Sequence, residues 1–207
     1  MNTIITIGRQ FGSGGREIGE RLGKQRNIPV YDKELISEVS KKSGICEEMV
    51  KHHEERPTNS FLYNLVMDTY SWRYASGAYS DMPIGQKVFL AQYEYIKKLA
   101  QEGPCVFIGR CADYALSDYP NVCNIFILSD LDFRVKQISK RFDISEAKAK
   151  DMIDKKDKQR QSYYNYYTDK KWGASESYDL CINSGKLGIE KSVELIQSYI
   201  ELIEKKI

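Results

Sequence analysis

The sequence predicts an α/β protein of three layers, with helices on both faces of a five-stranded parallel sheet. Two observations carry this expectation. Short apolar runs at residues 4–7, 105–108 and 124–128 alternate with longer stretches of helical periodicity. The first run passes directly into Gly8-Arg9-Gln10-Phe11-Gly12-Ser13-Gly14-Gly15-Arg16, after which Ile18 and Leu22 open an apolar helix face.

That glycine loop is the most informative stretch. Gly8, Gly12, Gly14 and Gly15 fall within eight residues between a strand and a helix start. Glycines let successive backbone N–H groups converge on an oxyanion without Cβ clashes, and a helix N-terminus adds partial positive charge. Gly12, Ser13, Gly14, Gly15 and Arg16 are therefore candidate phosphate-binding residues. The plainer reading is a tight βα turn. A Walker A loop needs Gly, four residues, then Gly-Lys-Ser/Thr. With Gly14 as second glycine, Arg9 takes the first Gly position, Gly15 the Lys position and Arg16 the Ser/Thr position. With Gly15 as second glycine, Gln10, Arg16 and Glu17 take them. Neither register fits, so Arg16 is the candidate for the missing charge, although Arg and Lys differ in reach and hydration.

Composition limits the alternatives. The 207 residues suit one domain, and 42% hydrophobic content can fill a sizeable core. Thirty-one basic and twenty-nine acidic residues give a net charge of +2, which predicts no general nucleic-acid affinity. Five scattered cysteines read as buried thiols of a reducing cytoplasm. No leader-like segment or membrane-length apolar run is visible, and the expected location is cytoplasmic.

Along the chain, residues 27–32 form a short strand with Pro29 near its start or at an edge. Asp32 then reads either as the N-cap of a helix or as a ligand. Within residues 46–84, Ser71 to Pro83 is rich in Tyr, Ser and Gly, and His52 and His53 are adjacent rather than a metal pair. Residues 85–101 are a helix with Phe89, Tyr93, Ile96 and Ala100 on one face. The strand at 105–108 ends in Gly109-Arg110, at the carboxyl edge where open α/β sheets bind ligands. Arg110 is read as a bidentate ligand of phosphate or base, against a structural salt bridge.

The strand at 124–128 leads into a helix whose expected core stripe is Leu131, Val135, Ile138 and Phe142. Arg134 and Arg141 stand seven apart on it, and either neutralise a transferring phosphoryl group or form a solvated basic face. Arg141 is the preferred of the two. Ser145 caps a helix running to about Tyr167, with Lys156 and Arg160 at i, i+4 around Asp157. Residues 178–183 are the last strand. A closing helix carries Ile189, Val193, Ile196, Ile200 and Ile203 at helical spacing.

The run Gly8 to Ile18 closely resembles the Ser-Arg-Gln-Tyr-Gly-Ser-Gly-Gly-Arg-Glu-Ile signature of the cytidylate kinase-like proteins, within the P-loop nucleoside monophosphate kinases. Gly109-Arg110-Cys111 is similar to their Gly-Arg-Asp, with Asp absent unless Asp113 replaces it. Lys156-Asp157-Lys158-Gln159-Arg160 resembles part of their Arg-Asp-x-x-Asp-x-x-Arg lid, with Ile153-Asp154 at its first pair. Asn183-Ser184 corresponds to their Asp-Thr. The resemblance implies a single P-loop kinase-like domain, with about 46–84 covering the acceptor and about 143–170 forming a helical lid. It further implies ATP and Mg²⁺ as cofactors and transfer of the γ-phosphate to CMP or dCMP, with nucleotides as partners. Asp32, Arg110 and Asp157 would then contact substrate, and Arg16, Arg141, Lys156 and Arg160 would supply charge. A nucleotide-binding protein without turnover and a kinase for another small acceptor are the alternatives.

Overall fold

Ile5 and Ile7 of the first strand face one side of the sheet and Ile4 the other, and this alternation sets the layers. The computed structural model describes residues 3–32 and 83–205. Its strands are β1 (Ile4–Arg9), β2 (Val30–Tyr31), β3 (Val106–Ile108), β4 (Val122–Leu128) and β5 (Leu180–Asn183). They form one sheet in the order β2-β3-β1-β4-β5, every pair parallel. The helices of the described residues are α1 (Gly15–Arg26), α2 (Ile84–Glu102), α3 (Ala112–Ala115), α4 (Leu131–Phe142), α5 (Glu146–Thr168) and α6 (Ser184–Glu204).

Ile5, Ile7, Val106, Ile108, Ile125 and Ile127 project to one face, against Ile18 and Leu22 of α1 and Val193, Ile196 and Ile200 of α6. Phe107 and Ile4 project to the other, against Ile96, Leu99 and Ala100 of α2 and the short α3. The central strands are covered on both faces, which is why their sequences are almost continuously apolar. Each such isoleucine contributes about 1.5–3 kcal/mol by leaving water. A kink at Gly188, φ 76°, separates the first turn of α6 from the long part that packs on the sheet.

Two expectations about burial change. Val135 and Ile138 of α4 are buried, but Leu131 and Phe142 are 36% and 47% exposed. They stand at the two ends of a twelve-residue helix, beyond the patch that α5 covers. Arg134 takes a buried place instead. Of the cysteines within the described residues, Cys105, Cys111 and Cys123 are buried as expected, whereas Cys181 is exposed. It lies on β5, the edge strand, where alternate residues meet solvent while Ile182 turns inward. Cys46, His52, His53 and nearly all of the 46–84 segment lie outside the described residues.

Candidate active site

β1 ends at Arg9, between the carboxyl ends of β3 and β4, and the glycine loop crosses that edge of the sheet before α1 begins at Gly15. Gly12 and Gly14 have φ of 84° and 77°, so the loop turns twice through the left-handed region. Gly14 is the N-cap of α1 and offers no side chain to the first-turn amides. Those donors are the groups an anion would meet.

The loop is held from three sides. Ser13 is fully buried, and its hydroxyl shares its proton between the carbonyls of Gln10 (2.9 Å) and Ile127 (3.1 Å). The Ser184 hydroxyl at the start of α6 lies 2.5 Å from the Ser13 carbonyl and 3.1 Å from that of Leu128. The Phe11 amide donates to Asp157 Oδ1 on α5 at 2.7 Å, and Asp157 Oδ2 meets Arg134 Nη1 at 2.6 Å. Arg134 also donates through Nε to the Ser129 carbonyl at 3.0 Å. Burial pushes the Asp157 carboxyl above its ordinary value, while the Phe11 amide and Arg134 pull against that shift.

Beside the loop lies a small open cleft, lined by residues from the ends of β1 and β3 and from the second half of α5. Arg9, Arg110 and Arg160 line it together with Gly109, Asp113, Tyr163, Tyr164, Trp172 and Tyr178. Asp32, at the end of β2, is bracketed by cations: Arg16 Nε is 3.2 Å from its Oδ2 and Arg110 Nη2 is 3.6 Å from its Oδ1. Arg110 is buried, with φ of 62° just after Gly109. Burial and the neighbouring Arg9 charge lower its pKa to about 10, partly offset by Asp32, so it remains cationic at neutral pH. Arg160 donates to the Arg9 carbonyl at 3.2 Å, and its guanidinium lies 5.6 Å from the Phe11 ring centroid.

The structure thus gathers Gly12 to Arg16, Asp32, Arg110 and Arg160 at one edge of the sheet. Arg141 and Lys156 are exposed and do not line the cleft. Arg141 sits in the last turn of α4, its guanidinium 5.6 Å from the centroid of its neighbour Phe142. Lys156 is exposed in the middle of α5, between the stretch that buries Ala149 and Ile153 and the one that buries Tyr163, Tyr164 and Tyr167. Arg134, ranked below Arg141 on sequence, is the buried member of the pair. Asp157 braces the loop through the Phe11 amide.

Asp113 lines the cleft but is engaged by Tyr164, whose hydroxyl donates to Oδ2 at 2.6 Å. Burial raises both of their pKa values. Arg9 and Ser184 were not singled out in the sequence. A non-glycine at the loop's first-glycine position was the available signal for Arg9, and for Ser184 its place in the Asn183-Ser184 pair at a strand-to-helix corner.

A model of the cytidylate kinase-like family matches residues 4–186. Among solved structures, an uncharacterized protein from Eubacterium ventriosum ATCC 27560 is 33% identical, with 97% of this chain and 99% of that chain covered and a TM-score of 0.73. Shikimate kinase from Bacteroides thetaiotaomicron covers 97% of this chain and 99% of its own, at 12% identity and a TM-score of 0.52, a likeness of fold. No curated protein matches the sequence. A family match that runs from the first strand to the start of the last helix takes in the glycine loop, Asp32, Arg110 and Arg160, and the chain belongs to the cytidylate kinase-like family.

Proposed function

We propose that this protein is a phosphotransferase that moves the γ-phosphate of ATP to a pyrimidine nucleoside monophosphate such as CMP or dCMP. The observation that carries this reading is the bracketing of Asp32 by Arg16 and Arg110 beside a glycine loop and an arginine-lined cleft. Loop amides from Gly12 to Arg16 would hold the triphosphate. Arg110 would take the acceptor phosphate through a bidentate fork, and Asp32 would orient both guanidiniums. Arg160 would lie over the transferring group from α5. In-line transfer then needs positioning and charge neutralisation more than proton removal, because the acceptor oxygen is already anionic.

With Gly14 as second glycine, Arg16 stands where a P-loop hydroxyl would meet magnesium, and a guanidinium cannot ligate a cation. The loop therefore does not fit that ion by itself. Phosphate oxygens and water suit Mg²⁺ as ligands, so the ion would arrive with the nucleotide. The roles given above do not depend on it.

Release of ADP from Mg²⁺-ATP, coupled to a colour change and run with CMP, dCMP, UMP, AMP and GMP in turn, tests the proposal. Turnover with the pyrimidine monophosphates is expected. One specific feature favours a second reading, a nucleotide-binding protein without turnover: the loop carries no lysine in either register. ATP binding by calorimetry with no ADP release from any acceptor would select it. Binding without turnover on these five, but with turnover on another small acceptor, would redirect the substrate assignment.

A further inference from the structure

Two departures from the usual loop pattern meet in space. With Gly14, the N-cap of α1, as second glycine, Arg9 occupies the first-glycine position and Gly15 the lysine position. A Cβ placed on Gly15 would stand 2.6 Å from the Arg9 Cβ, 3.2 Å from its Cγ and 3.2 Å from the Ile127 Cβ. Carbon atoms in favourable contact lie about 3.5–4.0 Å apart. The stem of Arg9 therefore fills the space through which a side chain at position 15 would leave the helix. Farther out, the Arg9 guanidinium lies against Gly109, where a Cβ would collide with its Nη1. The side chain runs from the start of α1 to the end of β3, along the cleft that Arg110 and Arg160 also line. Arginine at 9 and lysine at 15 exclude one another along this path. The glycines at 15 and 109 are the two places that leave it open.

We propose that Arg9 is the phosphate-binding cation of this site: its guanidinium meets the terminal oxyanions of a nucleoside triphosphate from the β1–β3 crevice, in place of an ammonium carried by the loop. This rests on the kinase reading above. The charge has been moved from the first residue of α1 to the last residue of β1, and the exchange requires both glycines. Three guanidinium groups and one carboxylate, Asp113, line the cleft among the described residues, and Tyr164 already donates to that carboxylate. A polyanion is the ligand such a lining suits. A planar fork presents paired N–H donors where an ammonium presents a point charge, so the substitution also changes how the phosphate is oriented.

The test is calorimetry of ATP, ADP and AMP, each with magnesium, against wild type, Arg9→Gln, Gly15→Lys and Arg9→Gly/Gly15→Lys, with thermal midpoints measured in parallel. Arg9→Gln keeps the stem and removes the charge. It is expected to weaken ATP by about tenfold or more, ADP less, and AMP least, with a midpoint near that of wild type. Gly15→Lys alone is expected to lower the midpoint, because the new stem meets Arg9. The double variant is expected to recover most of the midpoint, the Ile127 contact remaining, and at least part of the ATP affinity. Unchanged ATP affinity in Arg9→Gln overturns the assignment, and so does an equal loss for all three nucleotides, which would mark a structural role. Wild type that binds neither ATP nor ADP at millimolar concentration overturns the kinase reading itself. That outcome is distinct from tight wild-type binding that Arg9→Gln leaves intact.

Discussion

Arg134 of α4 and Asp157 of α5 form a 2.6 Å ion pair whose second carboxylate oxygen accepts the Phe11 amide of the glycine loop at 2.7 Å. The two side chains are 9% and 17% exposed, so one carboxylate couples two helices and the loop largely out of water. The shape of the loop is thus set partly by α5, a helix more than a hundred residues away in sequence.

Asp157→Ala is expected to destabilise the protein by about 3 kcal/mol, because it strands a buried guanidinium and a loop amide together. Urea midpoints measure this. The apolar pair Arg134→Met/Asp157→Leu should recover most of the loss in helix packing, though not the Phe11 hydrogen bond. A loss well under 1 kcal/mol for Asp157→Ala would class the pair with ordinary surface ion pairs.

Ser184 joins the start of α6 to the loop through the Ser13 carbonyl. Ser184→Ala leaves that carbonyl and the one at Leu128 without this donor, at a cost of about 1–3 kcal/mol. Hydrogen exchange should quicken at the amides of residues 12–16 more than in β1. A uniform change across the sheet would speak against a local tie.

Asp113 gives a pH signature. Burial raises its folded-state pKa above the ordinary 3.8, so the folded protein holds this proton more tightly than the unfolded chain does. Its contribution to stability is complete below the unfolded value and is lost as pH rises through the folded one. Asp113→Asn keeps an acceptor for the Tyr164 hydroxyl and removes the titration. Across mildly acidic to neutral pH, urea midpoints of wild type should therefore fall relative to those of Asp113→Asn. Parallel curves would remove Asp113 as the source.

Thiol reactivity separates the cysteines. Burial pushes Cys105 and Cys123 up to about 12, and Cys111 is buried beside the cleft, whereas Cys181 is exposed. Cys181 should react with an aromatic disulfide in the native protein, and the three buried thiols only on unfolding. Labelling followed by peptide mapping reads this directly. Modification of native Cys105 at the rate of Cys181 would contradict the burial.

The parts legible in the sequence were those fixed by local rules. Continuous apolar runs marked the buried strands, helical spacing marked α2 and α6, and Ser145 marked the start of α5, where its hydroxyl accepts the Lys148 amide. The glycine loop was legible because its backbone conformation demands glycine at Gly12 and Gly14. Side-chain destinations were not. Arg134 and Arg141 are two turns apart on one helix, and periodicity alone cannot say which of them α5 will cover.

By itself the sequence determined a parallel α/β sheet with a glycine-rich loop at the end of its first strand, since spacing and backbone sterics act within a few residues. Which charges converge on that loop was decided only by the tertiary structure. Packing of α5 brought Asp157 and Arg160 to the loop, strand order set Arg110 beside Asp32, and the gap between Gly15 and Gly109 gave Arg9 its path. The physical reason is range: these contacts join residues far apart in the chain, and only the folded sheet brings them together.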